Sequence, residues 1–245
     1  MLTPKRPLRV AVLASRRAPG LSDLLALRDA SFEIVCVLSS EEDFADAALP
    51  RASGVPLLSH PIGRFYRWKK ADLRDLRQCR YYDRATERLL ARYRPDLVLL
   101  SGYLYIVTRP LLDAYPGRLV NVHGSDLARR TPEGRVLYPG LRAVRDAIRA
   151  GETETRATAH VVTEALDDGP ILLRSPAFPV APVAAALRAA GADHALNAYA
   201  YAHQEWMLLA AWGPLLAGAV RLFAQEREGR EDGESAIRVA AGGMS

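Results

Sequence analysis

Two short stretches of this 245-residue chain carry residues that could move protons and stabilise charge. In Arg118-Leu119-Val120-Asn121-Val122-His123 an extended run ends in Asn-x-His, and the two-residue period of a strand puts Asn121 and His123 on one face. An amide N–H can donate to a developing oxyanion while an imidazole carries a proton, so the pair could be catalytic. The same spacing suits a structural pair, in which His123 caps a loop and Asn121 satisfies backbone. In the second stretch, Asp167-Asp168-Gly169-Pro170, the aspartates suit a turn, because Asp bonds its own backbone there. A carboxylate in such a loop can also orient a nearby His ring and stabilise its charged form. Spacing alone leaves these readings open.

Other constellations carry less. Ser125 lies two residues from His123, but Gly124-Ser125-Asp126 lacks the G-x-S-x-G elbow of a hydrolase. The loop Ser15 to Gly20 lacks the G-x-G-x-x-G dinucleotide fingerprint, and Arg16 and Arg17 beside a helix start are either solvated or anion-binding. Arg64-Phe65-Tyr66-Arg67-Trp68-Lys69-Lys70 interleaves basic and aromatic residues as single-strand binders do, and reads more simply as a solvated helix start. Cys36, inside the apolar run Ile34 to Leu38, reads as a small buried hydrophobe, and no metal site is expected.

The elements that must position these residues follow from periodicity and punctuation. Leu8 to Ala14, Glu33 to Leu38, Val55 to Leu58, Asp96 to Gly102 and Arg118 to His123 read as strands, and the helical spacings at Leu21, Leu24, Leu25 and at Tyr82, Thr86, Leu89, Leu90, Tyr93 lie between them. Continuous apolar strands separated by helices predict a parallel sheet covered on both faces, with its crevice at the strands' carboxyl ends, beyond Ser101-Gly102 and His123. Leu141, Val144 and Ile148 predict a helix up to Gly151. Ala157 to Thr163 and Ile171 to Val180 predict an antiparallel pair, and Ala184 to Ala190 and Ala195 to Phe223 predict helices broken at Gly191 and Gly213-Pro214. The expected organisation is one α/β domain over residues 1–223 and a mobile charged tail over 224–245.

Composition narrows the function classes. At 49% hydrophobic and 25% charged, disorder, collagen and coiled coil are excluded, and a net charge of +5 allows an anionic small molecule without demanding nucleic acid. Two cysteines make no disulfide framework, which points to a reducing compartment. Met1 to Pro7 lacks the apolar core of a signal peptide, and no stretch is expected to reach transmembrane length. A cytoplasmic protein without nucleic acid or membrane partners is expected.

Pro95-Asp96-Leu97-Val98-Leu99-Leu100-Ser101-Gly102-Tyr103, Gly117 to His123, Tyr138-Pro139-Gly140, Ala159-His160-Val161-Val162 and Leu166-Asp167-Asp168-Gly169-Pro170-Ile171-Leu172 occur in this order. The ordered set resembles the 10-formyltetrahydrofolate-dependent formyltransferase family, above all its members acting on glycinamide ribotide. The resemblance runs from about Leu8 to Phe223, and the stretch from Pro95 to Val180 is its specific part. It implies a Rossmann-like α/β fold with a mostly parallel sheet of about seven strands and flanking helices. It also implies direct attack of a small molecule's primary amine on the formyl carbon of 10-formyltetrahydrofolate, as co-substrate and without a metal. Asn121, His123 and Asp167 fall on the family's catalytic positions, and His160 on a supporting histidine. The folate pocket maps to Leu104, Tyr105, Ile106 and Val107 and to Thr163, Glu164, Ala165 and Leu166. Arg16, Arg17, Ser22 and Glu205 map to the amine substrate.

Two departures bear on the acceptor, and with them the expected acceptor is glycinamide ribotide or a related small amine. Where the glycinamide enzymes carry a Gly-rich phosphate loop, this chain has Ser15 to Leu24, with Pro19, two arginines and Asp23. After His123, an insertion through Gly134 alters the loop that borders the amine. In the folate pocket, apart from these two, relatives often have Arg where this chain has Tyr105. The competing readings are hydrolysis of formyltetrahydrofolate and a non-catalytic folate or nucleotide-binding module on the same fold. Retention of Asn121, His123 and Asp167 together favours transfer, and a tail of about twenty residues has no room for the RNA domain of a tRNA-formylating relative.

Overall fold

Alternate residues of one strand can both be buried only when helices cover both faces of its sheet. Leu8–Ala14 (β1) meets this condition, with Val10, Val12 and Ala14 in one apolar cluster and Ala11 and Leu13 in another. The computed structural model describes residues 6–27 and 29–231. After β1 come α1 (Leu21–Ala26), β2 (Phe32–Ser39), α2 (Ala48–Ala52), β3 (Leu57–Ser59), α3 (Ile62–Lys69), α4 (Leu76–Ala91), β4 (Leu97–Leu100), α5 (Arg109–Ala114) and β5 (Leu119–His123). The second half adds α6 (Ala143–Ala150), β6 (Glu154–Thr155), β7 (Thr158–Val161), β8 (Ile171–Arg174), β9 (Phe178–Pro179), α7 (Pro182–Ala189) and α8 (Asp193–Glu231).

The main sheet has seven strands in the order β3-β2-β1-β4-β5-β7-β8. Pairing is parallel from β3 through β5, and the β5–β7 and β7–β8 pairs are antiparallel. This is the mostly parallel α/β sheet expected from the apolar runs. Its order reverses between β1 and β4, which opens a crevice at their carboxyl ends. The backbone N–H of Ser15 donates to Gly102 O at 3.2 Å and that of Leu104 to Ser15 Oγ at 3.0 Å, tying the two strand ends together. Leu21 and Leu24 of α1, Val144 and Ile148 of α6, and Met207, Leu216 and Val220 of α8 cover one face, and Leu90 of α4 and Leu111 of α5 cover the other. Each fully buried leucine side chain contributes about 2 kcal/mol.

Three expectations change. The run Ile171 to Val180 is two strands, because Pro176 cannot continue the ladder; Phe178–Pro179 pairs instead with β6 in a separate two-stranded sheet. The C-terminal helix does not break at Gly213-Pro214 and runs on past residue 223, with Ala224 buried, so the domain boundary expected there lies inside α8; residues 232–245 are outside the described residues. Gly213 serves packing: a Cβ on Gly20, at the start of α1, would lie 2.6 Å from Gly213 N, so loop and helix backbones touch where neither carries a side chain. Gly20 also has a φ of +79°, which favours glycine. Finally, α8 is long and apolar enough to cross a membrane by length and composition, against the expectation that no stretch would be. Its apolar window has a mean hydropathy of 1.6 and is 56% buried within the fold, as suits a core helix.

Candidate active site

Antiparallel register places Asn121 of β5 directly opposite His160 of β7. The His160 Nδ1–H donates to Val161 O at 3.1 Å, which leaves Nε2 as an acceptor for the Asn121 amide N–H at 3.3 Å. Burial holds the His160 imidazole below its ordinary pKa, outweighing the opposite pull of Asp167. A neutral ring of fixed tautomer therefore makes the Asn121 side chain present nitrogen rather than oxygen. One amide N–H is committed to His160, and the second remains for a ligand. This supplies a reason for the Asn-x-His pattern that spacing could not.

His123, two residues on, is 7% exposed. Its Nε2–H donates to Tyr138 O at 2.9 Å, and its Nδ1 faces Asp167 Oδ2 at 3.5 Å. Asp167 Oδ1 lies 3.8 Å from His160 Nε2, so one buried carboxylate stands between two imidazoles. Asp167 adopts a φ of +53°, a region that Asp tolerates better than most residues and that marks held conformations at functional sites. The backbone N–H of Gly140 donates to Asp167 Oδ2 at 2.7 Å. Asp168 turns away and pairs with Arg130. Behind them, Gly169 lies so close to β7 that a Cβ would sit 1.8 Å from Val161 O. Of the two aspartates that could form the turn, Asp167 joins the cluster and Asp168 ties down the loop. Ser125 Oγ donates to Tyr138 O at 2.8 Å, which accounts for its buried hydroxyl without a nucleophilic role.

The segment after β4 and the loop before Asp167 form neighbouring walls. Leu104 and Ile106 are exposed, Val107 is buried, and the Tyr105 hydroxyl donates to Glu41 Oε1 at 2.5 Å. In the other wall Thr163 is half-buried and Glu164, Ala165 and Leu166 are exposed. Arg109, just past the first segment, forks onto Glu164 and joins the two walls. Exposed Leu104, Ile106 and Leu166 beside a buried polar cluster suit a flat, largely apolar ligand with a reactive polar end.

On the β1 side, Arg17 and Glu205 meet. The Arg17 guanidinium donates to both Glu205 oxygens, at 2.8 and 2.5 Å, and this contact holds the Glu205 carboxyl below its usual range. The Ala18 N–H donates to Asp46 Oδ2 at 2.7 Å, and Leu21 N–H to Ala18 O. Arg16 and Ser22 are exposed. Part of the loop backbone that could have cradled an anion is thus already bonded.

Residues 8–186 match the formyl transferase family. The chain belongs to that family. The phosphoribosylglycinamide formyltransferase of Mycobacterium tuberculosis is 31% identical over 180 residues, 71% of this chain and 72% of that protein. The trifunctional purine biosynthetic protein adenosine-3 of Drosophila melanogaster is 31% identical over 189 residues, which cover 74% of this chain; the chain spans only 12% of that relative's length. Among solved structures, glycinamide ribonucleotide transformylase 1 from Symbiobacterium toebii has a TM-score of 0.61 at 27% identity, covering 91% of this chain and 90% of that one.

Around this cluster, sequence reasoning missed Asp46, Glu152 and the roles of the Gly140 N–H and the Tyr138 carbonyl. Gly140 and Tyr138 act through backbone atoms, and Asp46 and Glu152 reach their partners across long sequence separations, so no local pattern signals them. Cys36 and Cys79 are buried, and burial pushes each thiol up to about 12, which leaves both unsuited to nucleophilic work. The basic and aromatic run at 64–70 lies in and just after α3, with Ile62 and Tyr66 buried and Lys69 stacked over Trp68 at 4.3 Å.

Proposed function

We propose that this protein transfers the formyl group of 10-formyltetrahydrofolate to the primary amine of a small molecule, with glycinamide ribotide as the acceptor. The observation that carries this reading is the convergence of Asn121, His123, His160 and Asp167 at the ends of β5 and β7, in a member of the formyl transferase family. The names of the similar proteins support the acceptor, and their place in purine biosynthesis, with two free buried thiols, supports a cytoplasmic setting.

The chemistry follows from the contacts. The apolar strip of Leu104, Ile106 and Leu166 binds the folate and brings its formyl carbon to the end of β5. As the amine nitrogen bonds to that carbon, the carbonyl oxygen gains negative charge, and the free N–H of Asn121 donates to it. Such a donor acts where charge develops and accelerates the step on the order of 100-fold or more. The new ammonium must lose a proton and the folate nitrogen must gain one before the carbon–nitrogen bond breaks. The edge shared by His123 Nδ1 and Asp167 serves this traffic, directly or through a water, because His123 Nε2 is held by Tyr138 O. No acyl-enzyme forms. On the acceptor side, with the Ala18 N–H already bonded to Asp46, phosphate recognition falls to arginine side chains of the loop after β1.

The test incubates the purified protein with 10-formyltetrahydrofolate and a panel of amines that includes glycinamide ribotide. Deformylation that depends on glycinamide ribotide and yields its formylated product is expected. Equal deformylation without any amine would instead identify a hydrolase, and no turnover with any amine a binding module.

A further inference from the structure

The segment Tyr138 to Gly140 touches both members of the proton-moving pair. Tyr138 O accepts from His123 Nε2, and Gly140 N–H donates to Asp167 Oδ2. This segment closes the inserted loop after His123, which folds as a hairpin: Arg130 bridges Val136, Leu137 N–H donates to Arg129 O and Thr131 N–H to Arg135 O. Hairpins that project from a fold need an anchor to hold a carbonyl in place, and here the anchor is Glu152, just beyond α6. One of its oxygens accepts from the Tyr138 hydroxyl at 2.8 Å, and the other pairs with Arg129 at the opposite foot of the hairpin. Its own N–H donates to Ala147 O, so the carboxylate is fixed at the end of a helix. Burial pushes the Tyr138 phenol up to about 12, with Glu152 acting in the same direction, so the hydroxyl keeps its proton and donates.

We propose that Glu152 is a positioning residue for the His123–Asp167 pair, acting through Tyr138; the proposal rests on the catalytic reading of that pair. Glu152 joins both feet of the hairpin, and the segment between its clamp and α6 carries the two backbone groups that set the imidazole and the carboxylate. Loosening the clamp lets the ring and the carboxylate drift. A drift of about 1 Å can cost on the order of 100-fold in turnover. The strap retains its Ser125 bond when the clamp is lost, so a smaller loss of about 10-fold is expected.

The experiment compares Tyr138→Phe, Glu152→Ala and Glu152→Gln with the unaltered chain, and uses Glu133→Ala at the exposed hairpin tip as a control. Turnover and Michaelis constants are measured for both substrates, and the ring-nitrogen 15N shifts of His123 are recorded without substrate. The expected result is a fall in kcat of about 10-fold for Tyr138→Phe and Glu152→Ala, with the KM for folate within about twofold. Glu152→Gln, which keeps an acceptor for the Tyr138 hydroxyl, is expected to recover part of kcat. The His123 Nε2 shift should move in the two damaging variants and stay put in the control. Unmoved shifts overturn the proposal whatever the kcat, and so does an unchanged kcat with moved shifts. If Glu152→Ala does not fold, Tyr138→Phe, which removes one hydroxyl, decides the matter. Moved shifts in a protein that formylates no amine would sink the transfer reading and leave the clamp's hold on His123 standing.

Discussion

Replacing Asn121 separates a catalytic amide from a structural one, because two substitutions fail in different ways. The amide has two N–H donors, one committed to His160 Nε2 at 3.3 Å and one free for the oxyanion. Asn121→Ala deletes both. Loss of one oxyanion donor costs roughly 100- to 1,000-fold in kcat, or about 3–4 kcal/mol. Because the charge exists only in the transition state, the KM for 10-formyltetrahydrofolate should barely change. Asn121→Asp keeps the shape but removes every donor. It sets a carboxylate against His160 Nε2, whose lone pair also accepts, and against the developing oxyanion. Relief would require His160 to take up a proton, which its burial opposes. The expected order of kcat is therefore wild type, then Ala, then Asp. Initial rates of deformylation at saturating amine, with kcat and KM fitted separately, read this order. Asn121→Ala within about threefold of wild type, or Asp no worse than Ala, would refute the assignment.

Three further outcomes are expected. Asp83 is buried, its Oδ2 accepting from Thr108 N–H and Oγ1 while Oδ1 has no partner among the described residues, and burial raises its carboxyl from 3.8 to about 6. Its stabilising contribution is thus full below the unfolded value and lost as pH rises through about 6, on the order of 3 kcal/mol, so Asp83→Asn should be more stable than wild type at about pH 7.5 and nearly equal at about pH 4 in urea titrations. Gly169→Ala drives a Cβ into Val161 O and must push the loop bearing Asp167 off β7, which should lower stability by about 3 kcal/mol and reduce kcat, as thermal melts and initial rates would register. Arg16→Ala combined with Arg17→Ala should raise the KM for glycinamide ribotide several-fold and leave that for 10-formyltetrahydrofolate alone; since the Arg17–Glu205 pair is partly exposed and screened by solvent, stability should change by about 1 kcal/mol or less.

What the chain disclosed before folding, and what it withheld, divides by the range of the interactions. β1, β4 and β5 were legible because a doubly covered strand is apolar on both faces, a signal complete in β4 and interrupted only by Arg9 in β1 and by Asn121 and His123 in β5. Asn121 and His123 share a face by the same local period. His160 was legible only by resemblance and Asp167 only as one of two open readings of a turn, since a cross-strand register and a loop in the left-handed region bring them in. Gly213-Pro214 misled because both residues usually punctuate a helix, whereas here the glycine answers to Gly20 across nearly the whole chain. The loop after β1 shows the same division most sharply. Arg16 and Arg17 look alike in sequence, two arginines beside a helix start, and only a partner 188 residues away tells them apart. Glu205 draws Arg17 into a two-pronged ion pair and half-neutralises it, while Arg16 stays an exposed cation. The contact that tells the two arginines apart is therefore α8 reaching back to the loop after β1, which no window of the sequence contains.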